Sequence, residues 1–198
     1  IFDVRSDDAY KGGGGTSMEA NIHLLEISNL TSDNASNSFK WLNNYYAIAR
    51  VHNAMLAIEN SSLGGKEALY GELRTLRAWY YFDLVRIFEK LPYFDQYADP
   101  KTERADRYTK DEILDFIEAD LKYGYDNLPE THSAAGRVNK YVAAALLCKV
   151  AAWRSHWADV ENYANIVINS GKYELYDNFG DMSKIQFNNK KESIFAMQ

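Results

Sequence analysis

The sequence predicts an all-α fold built from paired helices. Between residues 41 and 169, apolar side chains recur at intervals of three and four, which is the spacing of one face of an α-helix. Short polar or glycine-containing stretches separate these segments. Alanine alternates with large aromatic residues where neighbouring helices would touch, as in Ala143, Ala144, Trp153 and Trp157. Helical hairpins with these features are typical of tetratricopeptide-like repeats.

Composition limits the class of protein. The chain has 198 residues, of which 46% are hydrophobic and 25% are charged, so it can bury a sizeable core. Its formal net charge of −6 is spread along the chain, which argues against a nucleic-acid partner. The single cysteine, Cys148, lies in an apolar helical run, so a disulfide framework is excluded. No apolar run reaches the roughly 18 residues that a membrane-spanning helix needs.

Three segments differ in their pattern. Residues 1–40 are rich in Gly, Ser, Asn and Asp, and we expect loops there with one short helix near residues 17–27. Residues 41–185 carry the helical pattern. Residues 186–198 end in KESIFAMQ, whose alternation predicts the start of a β-strand without a neighbouring strand. We therefore expect a fragment whose last strand belongs to a further C-terminal region.

Two long helices open the helical segment. The first is expected over residues 41–60, and SSLGG follows as a break. The face expected to be buried carries Leu42, Tyr45, Ile48, Ala49, His52, Met55 and Leu56. The second is expected in KEALYGELRTLRAWYYFDLVRIFEKLPYF, from Lys66 until Pro92 ends it.

Three further helices are marked by their ends. Thr109 and Glu112 have the spacing of a capping box, in which each side chain accepts a hydrogen bond from the backbone N–H of the other residue. The helix that starts there ends at Asn-Leu-Pro, residues 127–129. The last two helices are expected over residues 139–154 and 156–169, and Gly171 has the position of a left-handed closing residue.

Two charged residues fall on apolar helix faces. Arg77 lies at the centre of a face with Tyr80 and Leu84, and Asp120 lies beside Phe116. An unpaired buried charge is strongly destabilising, whereas a hydrogen-bonded pair roughly breaks even and fixes how two helices dock. We therefore expect Arg77 to meet Asp120, with Arg137 as the competing partner. A catalytic or ligand-binding role is the alternative, but mid-helix positions among large apolar side chains favour a structural pair.

Strong motifs for catalysis or metal binding are missing from the sequence. In KGGGGTS, residues 11–17, the lysine precedes the glycines, so we expect a turn and not a phosphate-binding loop. The four histidines lack the spacing of zinc ligands, either with one another or with the cysteine. Asp7, Asp8 and Asp33 are loop acids without the spacing of an EF-hand. We expect neither a metal nor another cofactor.

Aromatic residues are frequent, at 14% of the chain, and their positions are informative. Helical spacing assigns most of them to the core. Tyr10, however, lies in the glycine-rich loop, and Trp41 lies at the predicted junction of loop and helix. A flat apolar ring edged by hydrogen-bonding groups suits a sugar, which offers a C–H face and hydroxyl groups. Anchoring of a protein partner is the alternative role for such rings.

Five stretches, in this order, resemble the SusD/RagB family of outer-membrane nutrient-binding lipoproteins of Bacteroidetes. They are GELRTLRAWYYFDLVRIFEKLPYF, RYTKDEILDFIEADLKYGYDNLP, GRVNKYVAAALLCKVAAW, YANIVINSGKYEL and ESIFAMQ. Ahead of them, RSDDAYKGG is similar to the Ser-Asp-rich segment that precedes a variable loop in the family. One departure is Glu89-Lys90, where the family often has Gly-Asp before the proline.

The resemblance implies a non-catalytic protein with a tetratricopeptide-like scaffold and a larger C-terminal region. It implies a lipid anchor upstream of Ile1 that holds the protein at the outer-membrane surface. The partners it implies are a glycan or other nutrient and a TonB-dependent, SusC-like transporter, which receives the ligand and contacts the helical units.

The ligand site implied by the resemblance lies in the loops between residues 7 and 41. Asp8, Tyr10, Asn37 and Trp41 are the predicted contacts, through hydrogen bonding and stacking. Two alternative functions stand beside this one. A helical-repeat adaptor would bind a protein on a concave helical surface. An all-α glycosidase would need two carboxylates about 5 to 10 Å apart in a cleft.

Overall fold

The computed structural model describes residues 3–96 and 106–196. Within these residues, six α-helices and one two-stranded antiparallel sheet form, and the predicted all-α fold is confirmed. The helices are α1 (Ala20–Glu26), α2 (Ala35–Glu59), α3 (Lys66–Val85), α4 (Lys110–Asn127), α5 (Lys140–Trp153) and α6 (Trp157–Ile168). The strands are β1 (Lys90–Pro92) and β2 (Arg107–Thr109). Short 3-10 turns occupy Asp3–Arg5, Phe179–Ser183 and Ile185–Phe187.

The chain divides into two compact units, which we name the N-terminal unit, Ile1–Tyr46, and the helical unit, Ala47–Gln198. The division falls inside α2. The three-part organisation that the sequence pattern indicates, with boundaries at residues 40 and 185, stays a prediction. Among the described helices, none combines the length and apolar character needed to cross a bilayer.

Successive helices of the helical unit pack against one another, α3 on α4, α4 on α5 and α5 on α6. The α3–α4 contact is close because small residues face each other there. A Cβ atom added to Gly124 would overlap the hydroxyl oxygen of Thr75 and would come within 3.3 Å of the Gly71 carbonyl oxygen. Thr75 is itself fully buried, and its hydroxyl donates to the Gly71 carbonyl at 2.8 Å. These residues set the distance between the two helices.

The core of the helical unit lies along these contacts. Its members recur at three- and four-residue steps, as amphipathic helices require. Fully buried large side chains include Tyr81, Leu84, Leu91, Ile113, Leu114, Ile117, Leu121, Val142, Leu147 and Val150.

Capping residues define several helix ends, and those at Thr109 and Gly171 were predicted. Thr109 and Glu112 form the capping box: the Thr109 N–H donates to Glu112 Oε2 at 2.8 Å, and the Glu112 N–H donates to Thr109 Oγ1 at 3.4 Å. The Asn139 side chain accepts from the Tyr141 N–H at 2.9 Å at the start of α5. Gly171, just after α6, has the left-handed φ of 65°.

Two predicted helix limits were wrong. α2 begins at Ala35, before the expected start at residue 41. α3 ends at Val85, well before Pro92, because the chain then forms β1. In that strand Leu91 pairs with Tyr108 of β2. A strand is fixed by its hydrogen-bonded neighbour, and that neighbour is distant in sequence, so local periodicity did not reveal it.

The terminal strand expected in KESIFAMQ is not formed in the described part of that segment, which ends at Ala196. Residues 188–196 contain turns and irregular backbone. A strand needs hydrogen bonds from a neighbouring strand, and the described residues supply none there. Its assignment to a further C-terminal region stays a prediction.

The buried face of α2 agrees with the expected one only in part. Ile48 and His52 are buried as expected, and Val51 is buried as well, each at most 5% exposed, whereas Leu42 is 50% and Leu56 is 41% exposed. Apolar residues occur on more than one side of this helix, so the sequence pattern alone did not identify the whole buried side.

Candidate functional site

Arg77 and Asp120 meet inside the helical unit. The Arg77 Nε donates to Asp120 Oδ2 at 2.7 Å, and Nη2 donates to Oδ1 at 2.8 Å. Each residue is 3% exposed. Burial alone would lower the pKa of Arg77, but the hydrogen bonds and charge of Asp120 raise it overall. Arg77 is therefore charged at neutral pH, and the bidentate bond holds α3 against α4.

On the side of Arg77 that faces Asp120, other groups of the protein occupy the space that a ligand would need. Its Nη1 donates to the Asp95 backbone oxygen at 2.5 Å. The Tyr93 ring centroid lies 5.6 Å from the guanidinium carbon, and Tyr93 stacks on Phe116 with centroids 4.2 Å apart. Burial raises the pKa of Tyr93. The pair is thus enclosed by backbone and aromatic rings, as a structural ion pair requires.

Arg137, the competing partner expected for Asp120, lies elsewhere. Its Nε donates to Glu72 Oε2 at 3.0 Å, and its Nη2 contacts Glu72 Oε1. Asp120 already gives both oxygens to Arg77, and Arg74 Nε lies 3.9 Å from Oδ1. A third guanidinium there would meet two like charges, so Arg137 pairs with a carboxylate on α3 instead.

In the N-terminal unit, the glycine-rich segment folds around its own lysine. Lys11 Nζ donates to the backbone oxygens of Gly12 at 3.2 Å, Gly15 at 2.8 Å and Met18 at 3.0 Å. An ammonium group has three N–H donors, and these three acceptors use all of them. The segment is a closed turn, as predicted, in which the lysine has no donor left for a phosphate.

Asn34 connects α1 to the start of α2. It is 2% exposed, its Oδ1 accepts from the Ser36 N–H at 3.0 Å, and its Nδ2 donates to the Asn21 backbone oxygen at 3.1 Å. The first bond has the form of a helix N-cap. Asn34 orients the first turns of α2 and so positions the residues that follow. The sequence patterns did not indicate this role.

Two of the four predicted ligand contacts lie on one helix face. Asn37 and Trp41 are one turn apart on α2, and Tyr45 follows at the next turn. The Trp41 and Tyr45 ring centroids are 4.9 Å apart with a 45° tilt. Asn37 and Trp41 are both half-buried, and burial raises the pKa of Tyr45. Trp41 therefore lies within the helix, supported on one side by an aromatic ring, and not at its junction with the loop.

The other two predicted contacts lie in the preceding loop. Tyr10 is 77% exposed, and Asp8 is exposed with its backbone N–H donating to Ser6 Oγ at 3.2 Å. The structure thus places the four residues on two elements of the N-terminal unit, with Asn37 and Trp41 together on α2. Sequence reasoning missed Tyr45, because its helical spacing assigned it to the core.

The loop acids lack the buried environment of a glycosidase general acid. Asp7, Asp8 and Asp33 are exposed. A hydrogen bond from the Thr31 side chain lowers the pKa of Asp33, which is opposite to the raised pKa of a glycosidase general acid. Within residues 3–96 and 106–196, no group of three or more His, Cys, Asp or Glu residues is arranged to hold a metal ion.

Comparison with known proteins identifies the family. A family model described as SusD-like, starch-binding and associating with the outer membrane matches residues 6–151. A SusD-like protein of Bacteroides ovatus is 29% identical over an alignment of 177 residues. The match covers 80% of this chain and 32% of the relative. The chain spans about a third of the length of the curated relatives that it matches.

Solved structures agree in fold and in the kind of protein. Surface glycan-binding protein A from Bacteroides fluxus is 29% identical with a TM-score of 0.85, over 98% of this chain and 43% of that chain. A structure with a xylogluco-oligosaccharide is 28% identical with a TM-score of 0.78, over 88% of this chain and 38% of that chain. The first of these proteins is named for glycan binding, and the second was solved with an oligosaccharide.

Proposed function

Because the chain belongs to the SusD-like family, we propose that this protein binds a glycan at the bacterial cell surface and passes it, without catalysis, to a TonB-dependent transporter. The observation that carries the proposal is the family match over residues 6–151, which includes both the N-terminal unit and most of the helical unit. The resemblance found in the five sequence stretches is confirmed by this match.

We place the glycan contacts in the N-terminal unit, at Asp8, Tyr10, Asn37 and Trp41. Trp41 is half-buried and lies against Tyr45, so its ring is held in place without being covered completely. Stacking a sugar on a ring that is already held in place costs less conformational entropy than stacking it on a mobile side chain, because binding would have to immobilise that side chain. The Asn37 amide, one turn away, both donates and accepts hydrogen bonds, as vicinal hydroxyl groups require.

We place the protein on the outer membrane through a lipid anchor outside this chain. The family description, which names association with the outer membrane, supports this location. The transporter partner is a proposal from the family resemblance. We place the transporter's surface on the helical unit and the main glycan contacts in the N-terminal unit.

The first experiment is an affinity screen of the full-length protein against plant, host and microbial glycans, including laminarin and xyloglucan. We expect one class to bind. Replacement of Trp41 by Ala should weaken that binding at least about tenfold, since loss of a stacked ring at the centre of a site removes more than about 1 kcal/mol. Tyr10→Ala should weaken it less, because the more exposed ring is less ordered.

Trp157→Ala is the matched control. Trp157 begins α6 and is 66% exposed, so its removal tests loss of an exposed indole outside the N-terminal unit. Its affinity should equal that of the wild type. Equal binding by the Trp41 variant would refute the site, and absence of binding across the whole panel, or release of reducing ends from it, would refute the function.

A further inference from the structure

A pocket of about 340 Å³ opens within the helical unit. It is lined by the C-terminal turns of α2, by the middle of α3 and by Asp95 and Gln96 after β1. The volume lies at the lower end of the range of small-molecule sites, about 300 to 1,000 Å³, so it suits a single ring and not a long chain. None of its lining residues belongs to the glycan site proposed above.

His52 lines this pocket, and its hydrogen-bonding capacity is poorly satisfied. It is 3% exposed, and within the described residues neither ring nitrogen has a hydrogen-bond partner of good geometry. Burial first, and then the charge of Arg77, lower its pKa to about 4, while a weak hydrogen bond with the Phe94 backbone and the charge of Asp95 oppose part of that change. A neutral imidazole carries one donor and one acceptor, and a single weak bond leaves at least one of them unsatisfied in the interior, which is destabilising. Such a residue is unusual unless something polar meets it.

Charges of both signs line the pocket. Arg74 and Arg77 line it together with Glu59 and Asp95, two cations and two anions. The Asp120 carboxylate, which Arg77 holds, adds one negative charge behind the wall. An anionic ligand would meet the acids, and a cationic ligand would meet the guanidinium groups. The lining therefore favours a neutral ligand that both donates and accepts hydrogen bonds.

Apolar groups also line the pocket. Met55, Leu56 and the Tyr70 ring lie among the charged residues, and the Tyr70 hydroxyl donates to the Met55 backbone oxygen at 3.4 Å. This bond holds the tyrosine ring in place. A ring-shaped ligand with a C–H face on one side and hydroxyl groups on its edge matches a lining of both apolar and polar groups.

We propose that this pocket is a second glycan subsite, which takes one neutral pyranose residue with its hydroxyl groups toward His52, Arg74 and Glu59. The proposal rests on the proposed glycan-binding function and adds a site in the helical unit. The sugar approaches over Leu56, whose side chain is 41% exposed, and its hydroxyl groups satisfy the donor and the acceptor of His52.

The test is saturation-transfer NMR with methyl β-D-glucopyranoside on the full-length protein carrying Trp41→Ala and Tyr10→Ala, so that the first site is weakened. We expect a transfer signal in this background. Adding Leu56→Trp should fill the pocket and raise the dissociation constant at least about tenfold. Adding Leu63→Trp instead is the matched control, because Leu63 is 56% exposed and does not line the pocket.

Glu59→Gln supplies a second, milder variant, since Glu59 is exposed and the change keeps its shape. Removing one negative charge should shift preference from the methyl glucoside toward glucuronic acid. A signal that is absent, that survives Leu56→Trp, or that never responds to Glu59→Gln would overturn the subsite. These results are separate from the screen of the first site, which tests Trp41 and the binding function itself.

Discussion

The helical unit and the N-terminal unit are stabilised by contacts of different range. In the helical unit, Arg77 and Asp120 are 43 residues apart in sequence, and Arg137 and Glu72 are 65 apart. In the N-terminal unit, Lys11 bonds to oxygens at most seven residues away, and Asn34 bonds to Asn21, 13 residues away. Long-range buried contacts resist local opening, whereas short-range contacts permit it.

This difference in the range of contacts fits two different roles, a scaffold and a recognition surface. A scaffold that must present a constant surface benefits from helices locked by a buried pair and close packing. A recognition surface benefits from loops that tolerate substitution, such as the one carrying Tyr10, because a change there alters few distant contacts. The contrast predicts that substitutions in the helical unit change global stability, whereas substitutions in the N-terminal unit change local order or binding.

The largest effect is expected for Asp120→Ala. It leaves the Arg77 guanidinium buried and unpaired, so the free energy of unfolding of the helical unit should fall by about 3 to 5 kcal/mol. Denaturant unfolding followed by circular dichroism measures this. Lys122→Gln on the same helix, which removes an exposed pair with Glu118, should change it by less than about 1 kcal/mol. Similar losses in the two variants would show that the buried pair does not lock α3 to α4.

The next effect is a pH dependence caused by His52. Its pKa in the folded state, about 4, is below the ordinary value of 6.5, so the unfolded state binds more protons between these values. Stability should therefore fall as the pH drops from about 6.5 to 4, by up to about 3 kcal/mol from this residue.

The variant His52→Leu should flatten this part of the stability curve, measured by denaturant unfolding at several pH values. His156→Leu is the control. The His156 side chain is 51% exposed, so its replacement should not alter the slope of stability against pH. An unchanged slope in the His52 variant would mean that His52 is not held neutral in the core.

A smaller effect is expected at the α3–α4 contact. Gly124→Ala places a methyl group against the Thr75 hydroxyl and should lower the unfolding free energy by about 1 to 3 kcal/mol. Thr75→Ala in the same chain should restore part of the loss, since it removes the overlapping atom. Gly64→Ala, where nothing lies within 4 Å, should be close to neutral. Thermal denaturation of the wild type, the two single variants at residues 75 and 124, the double variant and Gly64→Ala measures this coupling. Additive losses from Gly124→Ala and Thr75→Ala would contradict the close contact.

The smallest effect is expected in the N-terminal unit. Asn34→Ala removes the capping bond to Ser36, and an N-cap contributes about 1 kcal/mol. Amide hydrogen exchange should become faster in residues 20–46, while protection in α4 and α5 stays the same. If exchange in α5 rose equally, the two units would not differ in the range of their contacts.

The sequence predicted the parts of this structure that local chemistry determines. Arg77 and Asp120 could be matched because each was a charge on an otherwise apolar helix face. Thr109 and Glu112 could be matched because a capping box needs only four consecutive residues. Neither inference required knowledge of the rest of the fold.

Other features depend on neighbours that a local pattern does not contain. The pairing of Leu91 with Tyr108 joins distant segments, so the end of α3 was placed too late. The buried side of α2 is decided by what packs on it, so Leu42 was wrongly expected there, whereas His52 was placed correctly. The poor hydrogen bonding of the His52 ring is visible only in three dimensions.

The most direct measurement is hydrogen exchange of the full-length protein with and without the glycan that the screen selects. The account predicts that the glycan slows exchange in residues 3–46, most strongly around Asn37 and Trp41, and leaves residues 110–168 unchanged. Slower exchange confined to residues 110–168, with residues 3–46 unaffected, would contradict the assignment of ligand recognition to the N-terminal unit.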